Sequence, residues 1–410
     1  MRMAAKNRND FVKTKFREFY EEHSQSIRAP PEFEKREYGF IIFEHNAMVR
    51  HKKFDTERAL QEFIREIVPA HAYNSTAYYK KPAEEMERKV WLGADLTFDV
   101  DADHIATPCK VEHDIWTCRD CGLERRGEAP DKCPKCASDR IEEQVWLCDV
   151  CLNKAKKEVA KLLDFLIEDF GFLEGEVKTC FSGHRGYHVH VRSPIAKQLN
   201  SDERKEIVDY VQGAGIIPRL HGIGVPLRGT RFTIPNSSER GWTGRLVRGL
   251  REVANDYSLE ELTYAGLERK TASIIMKNRE IVSSVMSGNS ARTRRVGPGV
   301  WEKLSQAAIT VKSATVDTVV TTDIHRLIRI PETLNGKTGF RTVEIEQIEK
   351  FDPFVDATAF KGEESIYVTR APKFRVGNET FGPYKNQKVT ISTPAAILLV
   401  CKGRATATDV

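Results

Sequence analysis

The sequence predicts an α+β protein, in which a mixed-sheet core carries a zinc-binding insertion and a helical insertion. Alternating apolar and polar residues at 90–101 and within 177–192 indicate strands of a sheet. Apolar residues at helical spacing over 152–170 indicate a long helix. Seven of the nine cysteines lie between Cys109 and Cys151. Such clustering in a chain of cytosolic character indicates metal binding rather than disulfides.

These patterns divide the chain into five predicted segments. The 410 residues suffice for two lobes, or for one large domain with insertions. A loose stretch at 287–295, rich in small residues and arginine, falls within the helical part. The segments are a first part of the core at 1–103, the zinc-binding insertion at 104–151, a second part of the core at 152–194, the mainly helical insertion at 195–312 and the completed, β-rich core at 313–410.

Composition excludes some classes of protein. The chain has no run of about 18 apolar residues and no apolar signal segment at its N-terminus, so we expect a cytoplasmic protein without a membrane partner. The formal net charge of +5 is compatible with a nucleic-acid partner but is too small to identify one.

The strand predicted at 90–101 ends in a pair of carboxylates. Its period of two places Asp99 and Asp101 on one face, with Cα atoms roughly 7 Å apart, and places Phe98 and Val100 on the other. Carboxylates at this spacing can share Mg²⁺ or Mn²⁺, and paired ions can activate an attacking hydroxyl. A solvated strand face that ends in a turn would give the same pattern, so the motif alone is weak.

A glycine-flanked turn at 182–186 joins two predicted strands, 177–181 and 187–192. Its backbone can approach an anion closely, and Ser182, Arg185 and His188 would add donors suited to phosphate oxygens. The alternative is a plain hairpin with a polar outer face.

The cysteines are the strongest single signal. Two Cys-x-x-Cys pairs a dozen residues apart predict a tetrahedral zinc ribbon, formed by Cys118, Cys121, Cys133 and Cys136. A second, outer site would use Cys109, His113, Cys148 and Cys151. Alternatively, Cys148 and Cys151 could exchange with one of the inner pairs. Either site is expected to be structural, because protein ligands fill every position.

A late segment adds weaker candidates. Residues 317–323 look like a strand, followed by a basic stretch and a glycine-rich turn at 335–339. Asp317 could be a third metal ligand and Arg329 a phosphate contact. A capping aspartate and surface arginines would explain both residues equally well. Strong β character is expected again from 367 to 400.

Taken together, these motifs resemble the small, catalytic subunit of the archaeal and eukaryotic type of DNA primase, and the chain looks archaeal. The resemblance extends from about Lys35 to Gly339. It rests on four motifs in the family's order, which are residues 36–40 (REYGF), 98–101 (FDVD), 182–188 (SGHRGYH) and the segment from Asp317 to Pro331 with 337–339 (KTG). Ordered motifs are far more specific than any one of them.

The resemblance implies a primase-type core and a DNA-directed nucleotidyltransferase of DNA replication. Such an enzyme makes short primers from nucleoside triphosphates on single-stranded DNA, and it pairs with a large subunit that carries an iron–sulfur cluster. The resemblance further implies Mg²⁺ or Mn²⁺ at Asp99, Asp101 and Asp317, and triphosphate contacts from Ser182, Arg185, His188 and Arg329, with Arg50 as a weaker candidate.

Two departures from the family pattern stand out. Asn335 occupies a position where the family commonly has histidine, and asparagine can donate a hydrogen bond to phosphate but cannot carry charge. The ribbon at 118–136 is larger than the simplest members carry, whereas the outer ligands match the family's single zinc site. One or two structural zinc ions are therefore expected.

Two rival functions are compatible with the same motifs, a stand-alone repair primase–polymerase and a non-catalytic nucleic-acid-binding protein built on the zinc ribbon. No motif in the sequence indicates whether ribose or deoxyribose is preferred. The same holds for the primer length and the template preference.

Overall fold

The computed structural model describes residues 2–44, 47–224, 234–286 and 296–407, without the side chains of 2–8. The arginine-containing stretch at 287–295 lies outside the described residues. The chain forms two compact units. The first comprises Met1–Val159, Glu174–Arg204 and Asp317–Val410, and the second comprises Ala160–Leu173 and Lys205–Val316. The five-segment division stays a prediction.

The described residues form helices throughout the chain. In chain order the α-helices are α1 (Arg2–His23), α2 (Glu57–Ile67), α3 (Lys110–His113), α4 (Asp149–Asp164), α5 (Ser201–Gln212), α6 (Gly241–Asn255), α7 (Leu259–Tyr264), α8 (Arg269–Lys277), α9 (Arg279–Met286), α10 (Pro298–Lys312), α11 (Thr318–Thr322), α12 (Pro353–Asp356) and α13 (Thr393–Cys401). None of these helices is long and apolar enough to cross a membrane.

All strands of the described residues belong to the first unit. In chain order they are β1 (Tyr38–Ile41), β2 (Met48–Lys52), β3 (His71–Ser75), β4 (Ala77–Tyr79), β5 (Trp91–Ala94), β6 (Leu96–Asp101), β7 (Ile115–Cys118), β8 (Glu124–Arg126), β9 (Ile141–Gln144), β10 (Val177–Phe181), β11 (Gly186–Val191), β12 (Leu327–Arg329), β13 (Val343–Ile345), β14 (Glu363–Ala371), β15 (Phe374–Val376), β16 (Glu379–Phe381), β17 (Tyr384–Ser392) and β18 (Ala405–Ala407).

Two four-stranded sheets organise the first unit. One has the order β13-β10-β11-β6 and the other has the order β12-β3-β1-β2. In the first sheet, His188 of β11 stands opposite Asp99 of β6, and Gly186 stands opposite Asp101. Side chains alternate between the two faces of a strand, so the buried Phe98 pairs with the core while the polar residues share the other face. The predicted α+β class and this alternation are confirmed.

The single strand predicted at 90–101 is wrong in one respect, because two strands occupy it. β5 pairs with β4, whereas β6 joins the four-stranded sheet. Asp95 lies between them, buried, and its carboxylate accepts hydrogen bonds from Arg36 Nη2 at 2.8 Å and Tyr78 Oη at 2.6 Å. This buried polar anchor turns the chain from one sheet into the other.

Two late elements also differ from expectation. Residues predicted as a strand from 317 form the helix α11, because the Asp317 carboxylate caps it by accepting the backbone N–H groups of Val319 and Val320. The predicted β region at 367–400 contains β14 to β17 but ends in α13. Side chains of α13 are buried almost all round, so the sequence there has no period that separates helix from strand.

The described elements of the second unit are helices. The long helix predicted at 152–170 continues from α4 through a π-helical turn, Phe165–Asp169, and ends at Gly171 with a positive φ of 72°. Within this unit Arg245 is buried and forms ion pairs with Asp164 and Asp169.

Candidate active site and metal-binding clusters

A polar cleft lies over the carboxylate face of the β13-β10-β11-β6 sheet. It encloses about 220 Å³. Two carboxylates face three cationic side chains across this space, and such a mixture suits a polyphosphate bound through metal ions. The lining residues are Tyr73, Asp99, Asp101, Ser182, His184, His188, Val320, Arg326, Leu327, Ile328, Arg329 and Lys337.

The carboxylates meet where β6 ends. Asp101 Oδ1 accepts the backbone N–H of Asp103 at 2.9 Å, which orients it at the start of the following turn. The backbone N–H of Asp317 donates to the carbonyl oxygen of Asp99 at 2.9 Å. Residues more than 200 positions apart are thereby joined at one strand end. Asp317 lies beside the cleft with its carboxylate engaged in capping α11.

Electrostatics at this strand end favour a bound cation. Burial, followed by the negative charges of Asp101 and Asp317, raises the pKa of Asp99 to about 7. Both effects oppose ionisation, and a divalent cation would counter the repulsion between the carboxylates. The oxygen-only donor set fits Mg²⁺ or Mn²⁺.

His188 borders the same carboxylate. Its Nε2 lies 3.8 Å from Asp99 Oδ1. Burial, with Arg329 and Arg326 nearby, lowers the pKa of His188 to about 3, so the ring is neutral at pH 7. A neutral imidazole can donate a hydrogen bond without repelling a metal ion.

The side chain of Arg329 is oriented by His71, a residue that was not predicted from the sequence. Its Nη1 donates to Nδ1 of His71 at 2.7 Å, and its guanidinium carbon lies 5.0 Å from the ring centroid of Tyr73. Burial, with Arg329 and Lys337 nearby, lowers the pKa of His71 to about 2, so His71 acts as a neutral acceptor. Arg329 and Tyr73 are neighbours because β12 pairs with β3 at that position.

The turn between β10 and β11 is ordered by Ser182. Its Oγ accepts the backbone N–H groups of His184 and Gly186, both at 3.3 Å, so its hydroxyl hydrogen can donate into the cleft. Glycine is required at Gly183, where φ is 73° and an added Cβ would lie 2.9 Å from the Cβ of Asn335.

Asn335 ties two loops together. It is fully buried, its Nδ2 donates to the carbonyl oxygen of Ser182 at 2.9 Å, and its Oδ1 accepts the backbone N–H of Lys337 at 3.0 Å. Asn335 does not line the cleft, whereas Lys337 does. The side chain therefore supports the walls of the cleft from outside it.

Arg185, which was predicted to contact phosphate, is buried outside the cleft. Its side chain is 0% exposed, is ion-paired with Asp103 and Asp114, and is not among the residues that line the cleft. Arg50, the weaker candidate, holds the buried carboxylate of Glu37 and also lies outside the lining. Ser182, His188 and Arg329 are brought together with Asp99 and Asp101. Phosphate contacts by any of these residues stay predictions.

Two clusters of potential metal ligands have the nested pairing predicted from spacing. One contains Cys109, His113, Cys148 and Cys151, and the other contains Cys118, Cys121, Cys133 and Cys136. Sulfur–sulfur separations of 3.4 to 3.6 Å are close to the roughly 3.8 Å edge of a tetrahedral zinc–thiolate site. Each cluster can therefore hold a zinc ion.

The outer cluster has a second layer of support. His113 Nδ1 lies 2.7 Å from Asp114 Oδ1, while His113 Nε2 lies 3.6 Å from Cys151 Sγ. A carboxylate on the far nitrogen of a ligating histidine fixes the ring's orientation and tautomer.

Comparison with known proteins decides the family. The model of the DNA primase small subunit family matches residues 130–346. The DNA primase small subunit of Methanothrix thermoacetophila is 34% identical, covering 96% of this chain and 98% of its own. Those of Nitrosopumilus maritimus and Archaeoglobus fulgidus are 30% and 34% identical and cover 97% and 96% of this chain, with 98% and 97% of their own lengths. The chain belongs to the DNA primase small subunit family.

Several residues of this primase-family cleft were missed by sequence reasoning. Arg326, Lys337, Tyr73 and His184 all line it. Arg326 and Lys337 lie inside motifs quoted for the resemblance, so their positive charge could have indicated phosphate-binding residues. Tyr73 gave none, because a lone aromatic residue in a strand is ordinary core, and it becomes part of the site only through the pairing of β3 with β12.

Proposed function

We propose that this chain is the catalytic subunit of a DNA primase, which makes short primers from nucleoside triphosphates on single-stranded DNA for replication. The observation that carries the proposal is the cleft itself, where Asp99 and Asp101 face Arg326, Arg329 and Lys337. Family membership supports the same reaction, a DNA-directed nucleotidyl transfer.

The carboxylates are the candidate ligands of two divalent ions. Asp99 and Asp101, with Asp317 beside them, would hold Mg²⁺ or Mn²⁺. Such ions, when bound, help a 3′-hydroxyl attack the α-phosphorus and stabilise the leaving oxygen. The role of the protein is to fix the carboxylates on one strand end, so that little reorganisation is needed when substrate binds.

The cationic wall would bind the triphosphate. Arg329 is preorganised by His71, and a guanidinium presents paired donors to phosphate oxygens. Arg326 and Lys337 add positive charge where pyrophosphate would leave. Ser182 and the neutral His188 would complete the cradle as uncharged donors. Arg185 is left out of this cradle because its side chain is buried.

Zinc, the partner and the location complete the proposal. Two structural zinc ions would occupy the two cysteine-containing clusters, since every ligand position is filled by protein. A large primase subunit would form a heterodimer with this chain. Such a replication enzyme would work in the cytoplasm.

Template-directed incorporation tests the function. The purified chain would be given single-stranded DNA, Mn²⁺ or Mg²⁺ and either ribo- or deoxyribonucleoside triphosphates, with and without its large subunit. We expect primer products that require the metal and that increase with the partner. Full de novo synthesis without a partner would favour a stand-alone repair primase–polymerase. The absence of any product under all of these conditions would contradict the proposal that the chain is a nucleotidyltransferase.

A further inference from the structure

Arg185 lies between the outer metal-ligand cluster and the carboxylate strand. Nη1 lies 2.5 Å from Asp103 Oδ1, and Nη2 lies 3.6 Å from Asp114 Oδ2. Among the described residues, none of its three guanidinium nitrogens has a hydrogen-bond partner of standard geometry. A buried positive charge needs compensation. Here it comes from the two carboxylates, which hold the guanidinium between them.

One of these carboxylates belongs to the outer metal-ligand cluster. Asp114 Oδ1 lies 2.7 Å from Nδ1 of His113 and accepts the backbone N–H of Trp146 at 2.8 Å. Its other oxygen faces Arg185. Asp114 therefore orients a candidate zinc ligand with one oxygen and Arg185 with the other.

The second carboxylate belongs to the turn that follows the carboxylate strand. The backbone N–H of Asp103 donates to Asp101 Oδ1, and Lys110 Nζ donates to the carbonyl oxygen of Asp103 at 2.9 Å. The carbonyl oxygen of Arg185 accepts the backbone N–H of Ala102 at 3.1 Å. Arg185 thus holds this turn by its main chain and its side chain together, and the turn orients the carboxylate of Asp101.

We propose that Arg185 is a positioning residue through which the outer zinc site fixes the Asp101 carboxylate for binding the catalytic metal. The proposal rests on the proposed function, since it concerns the same carboxylates. It also changes the role that resemblance implies for Arg185, because a direct phosphate contact would require the guanidinium to leave both of its carboxylate partners.

The variant Asp114→Asn breaks the link with the least disturbance. The amide oxygen can replace Oδ1 towards His113 and Trp146, whereas the amide nitrogen would face Arg185 and repel it. Asp120→Asn is a matched control, because Asp120 accepts hydrogen bonds from Arg140 at 2.7 Å and from Ser138 in the same insertion, and within the described part of the chain it makes no hydrogen bond or ion pair with the turn at 102–104.

The measurement is Mn²⁺ affinity of the full chain by electron paramagnetic resonance, with zinc content and the nucleotide KM at saturating Mn²⁺. For Asp114→Asn we expect a Kd for Mn²⁺ raised about tenfold, as is typical when support of a metal site is removed, with zinc content and nucleotide KM unchanged. Asp120→Asn should match the wild type in all three.

A wild-type Mn²⁺ affinity in Asp114→Asn with zinc retained would overturn the proposal. Arg185→Lys provides a second test if Asp114→Asn loses zinc or fails to fold. A raised Mn²⁺ Kd supports positioning, whereas a raised nucleotide KM at unchanged Mn²⁺ Kd means a direct phosphate contact and overturns it. Failure of the proposed function is distinguishable, because wild-type Mn²⁺ binding would then survive Asp99→Asn.

Discussion

His71 Nδ1 accepts a hydrogen bond from Arg329 Nη1 at 2.7 Å, although His71 precedes Arg329 by 258 residues in the chain. The acceptor nitrogen has to be unprotonated, which agrees with the low pKa that burial gives His71. Arg329 is thereby aimed into the cleft that Asp99 also lines. Two strands of the β12-β3-β1-β2 sheet thereby place a cationic side chain in the same cleft as the carboxylates of the β13-β10-β11-β6 sheet.

Removing this acceptor should weaken nucleotide binding. His71→Leu removes the acceptor of Arg329 Nη1, and the loss of a charge-assisted hydrogen bond of about 1.5 kcal/mol corresponds to a KM for nucleoside triphosphate raised about tenfold. His71→Asn keeps an acceptor near the position of Nδ1 and should recover most of the effect. Equal KM values for wild type and His71→Leu in steady-state incorporation would refute this role.

Lys337 offers a test of the cationic wall with little risk to folding. It is exposed and lines the cleft, so Lys337→Ala should raise the KM for nucleotide several-fold while leaving the free energy of unfolding within about 0.5 kcal/mol. The effect should shrink at high salt, because exposed charges are screened. Lys361→Ala, at an exposed lysine outside the cleft, is the matched control. The same KM shift in both variants would argue against a phosphate contact.

The tie made by Asn335 predicts a stability effect. Asn335→Ala removes the buried donor to the Ser182 carbonyl oxygen and the partly buried acceptor for Lys337 N–H. Leaving such groups unsatisfied costs about 1–3 kcal/mol each. Asn335→Asp retains the acceptor but places a buried carboxylate oxygen against the carbonyl oxygen of Ser182, so we expect it to cost at least as much as Asn335→Ala. Urea unfolding in the presence of zinc measures both variants, and a loss below about 0.5 kcal/mol for Asn335→Ala would mean that these two hydrogen bonds do not stabilise the fold.

Buried neutral histidines predict acid sensitivity. Burial, with Lys402 nearby, holds the pKa of His184 well below its usual range, and burial, with Arg192 nearby, does the same for His190. The unfolded chain takes up these protons near pH 6.5 while the native chain does not. Stability should therefore fall as pH drops below about 6.5, by about 1.4 kcal/mol per pH unit for each such histidine.

His190→Gln isolates one of these contributions. The variant lacks the titrating ring. Between pH 6 and 5, the slope of its free energy of unfolding against pH should therefore be smaller than that of the wild type by about 1.4 kcal/mol per pH unit, which corresponds to one proton. Urea unfolding at several pH values gives both slopes. Identical slopes would mean that His190 titrates alike in both states.

Two zinc ions per chain are the expectation for metal analysis. Both clusters have four ligands at tetrahedral spacing, and the outer one carries the added support of Asp114. Elemental analysis after extensive dialysis should give two zinc per chain, and one in Cys136→Ser. A single zinc in the wild-type protein would contradict the nested arrangement.

The sequence predicted local features of the site better than its assembly. Alternation along β6 placed Asp99 and Asp101 on one face, because period two is a local property of an extended chain. Cysteine spacing likewise predicted both clusters. The break at Asp95 was missed, since its cause is a buried hydrogen bond to Arg36, which is 59 residues away in the sequence.

Long-range contacts account for the remaining misses. His71 and Tyr73 belong to the site only because β3 pairs with β12, and nothing near them in the sequence indicates this pairing. The apolar run in α13 gave no period, so helix and strand were equally compatible with it. Arg185 was predicted from its motif, but its two carboxylate partners come from another segment of the chain.

The most direct test of the central claim is nucleotide incorporation by Asp101→Ala on single-stranded DNA. Asp120→Ala serves as the control, and template binding is measured in parallel. We expect background incorporation by Asp101→Ala, with template binding retained and the wild-type rate in the control. Incorporation by Asp101→Ala at the wild-type rate would contradict a reaction centred on this carboxylate pair.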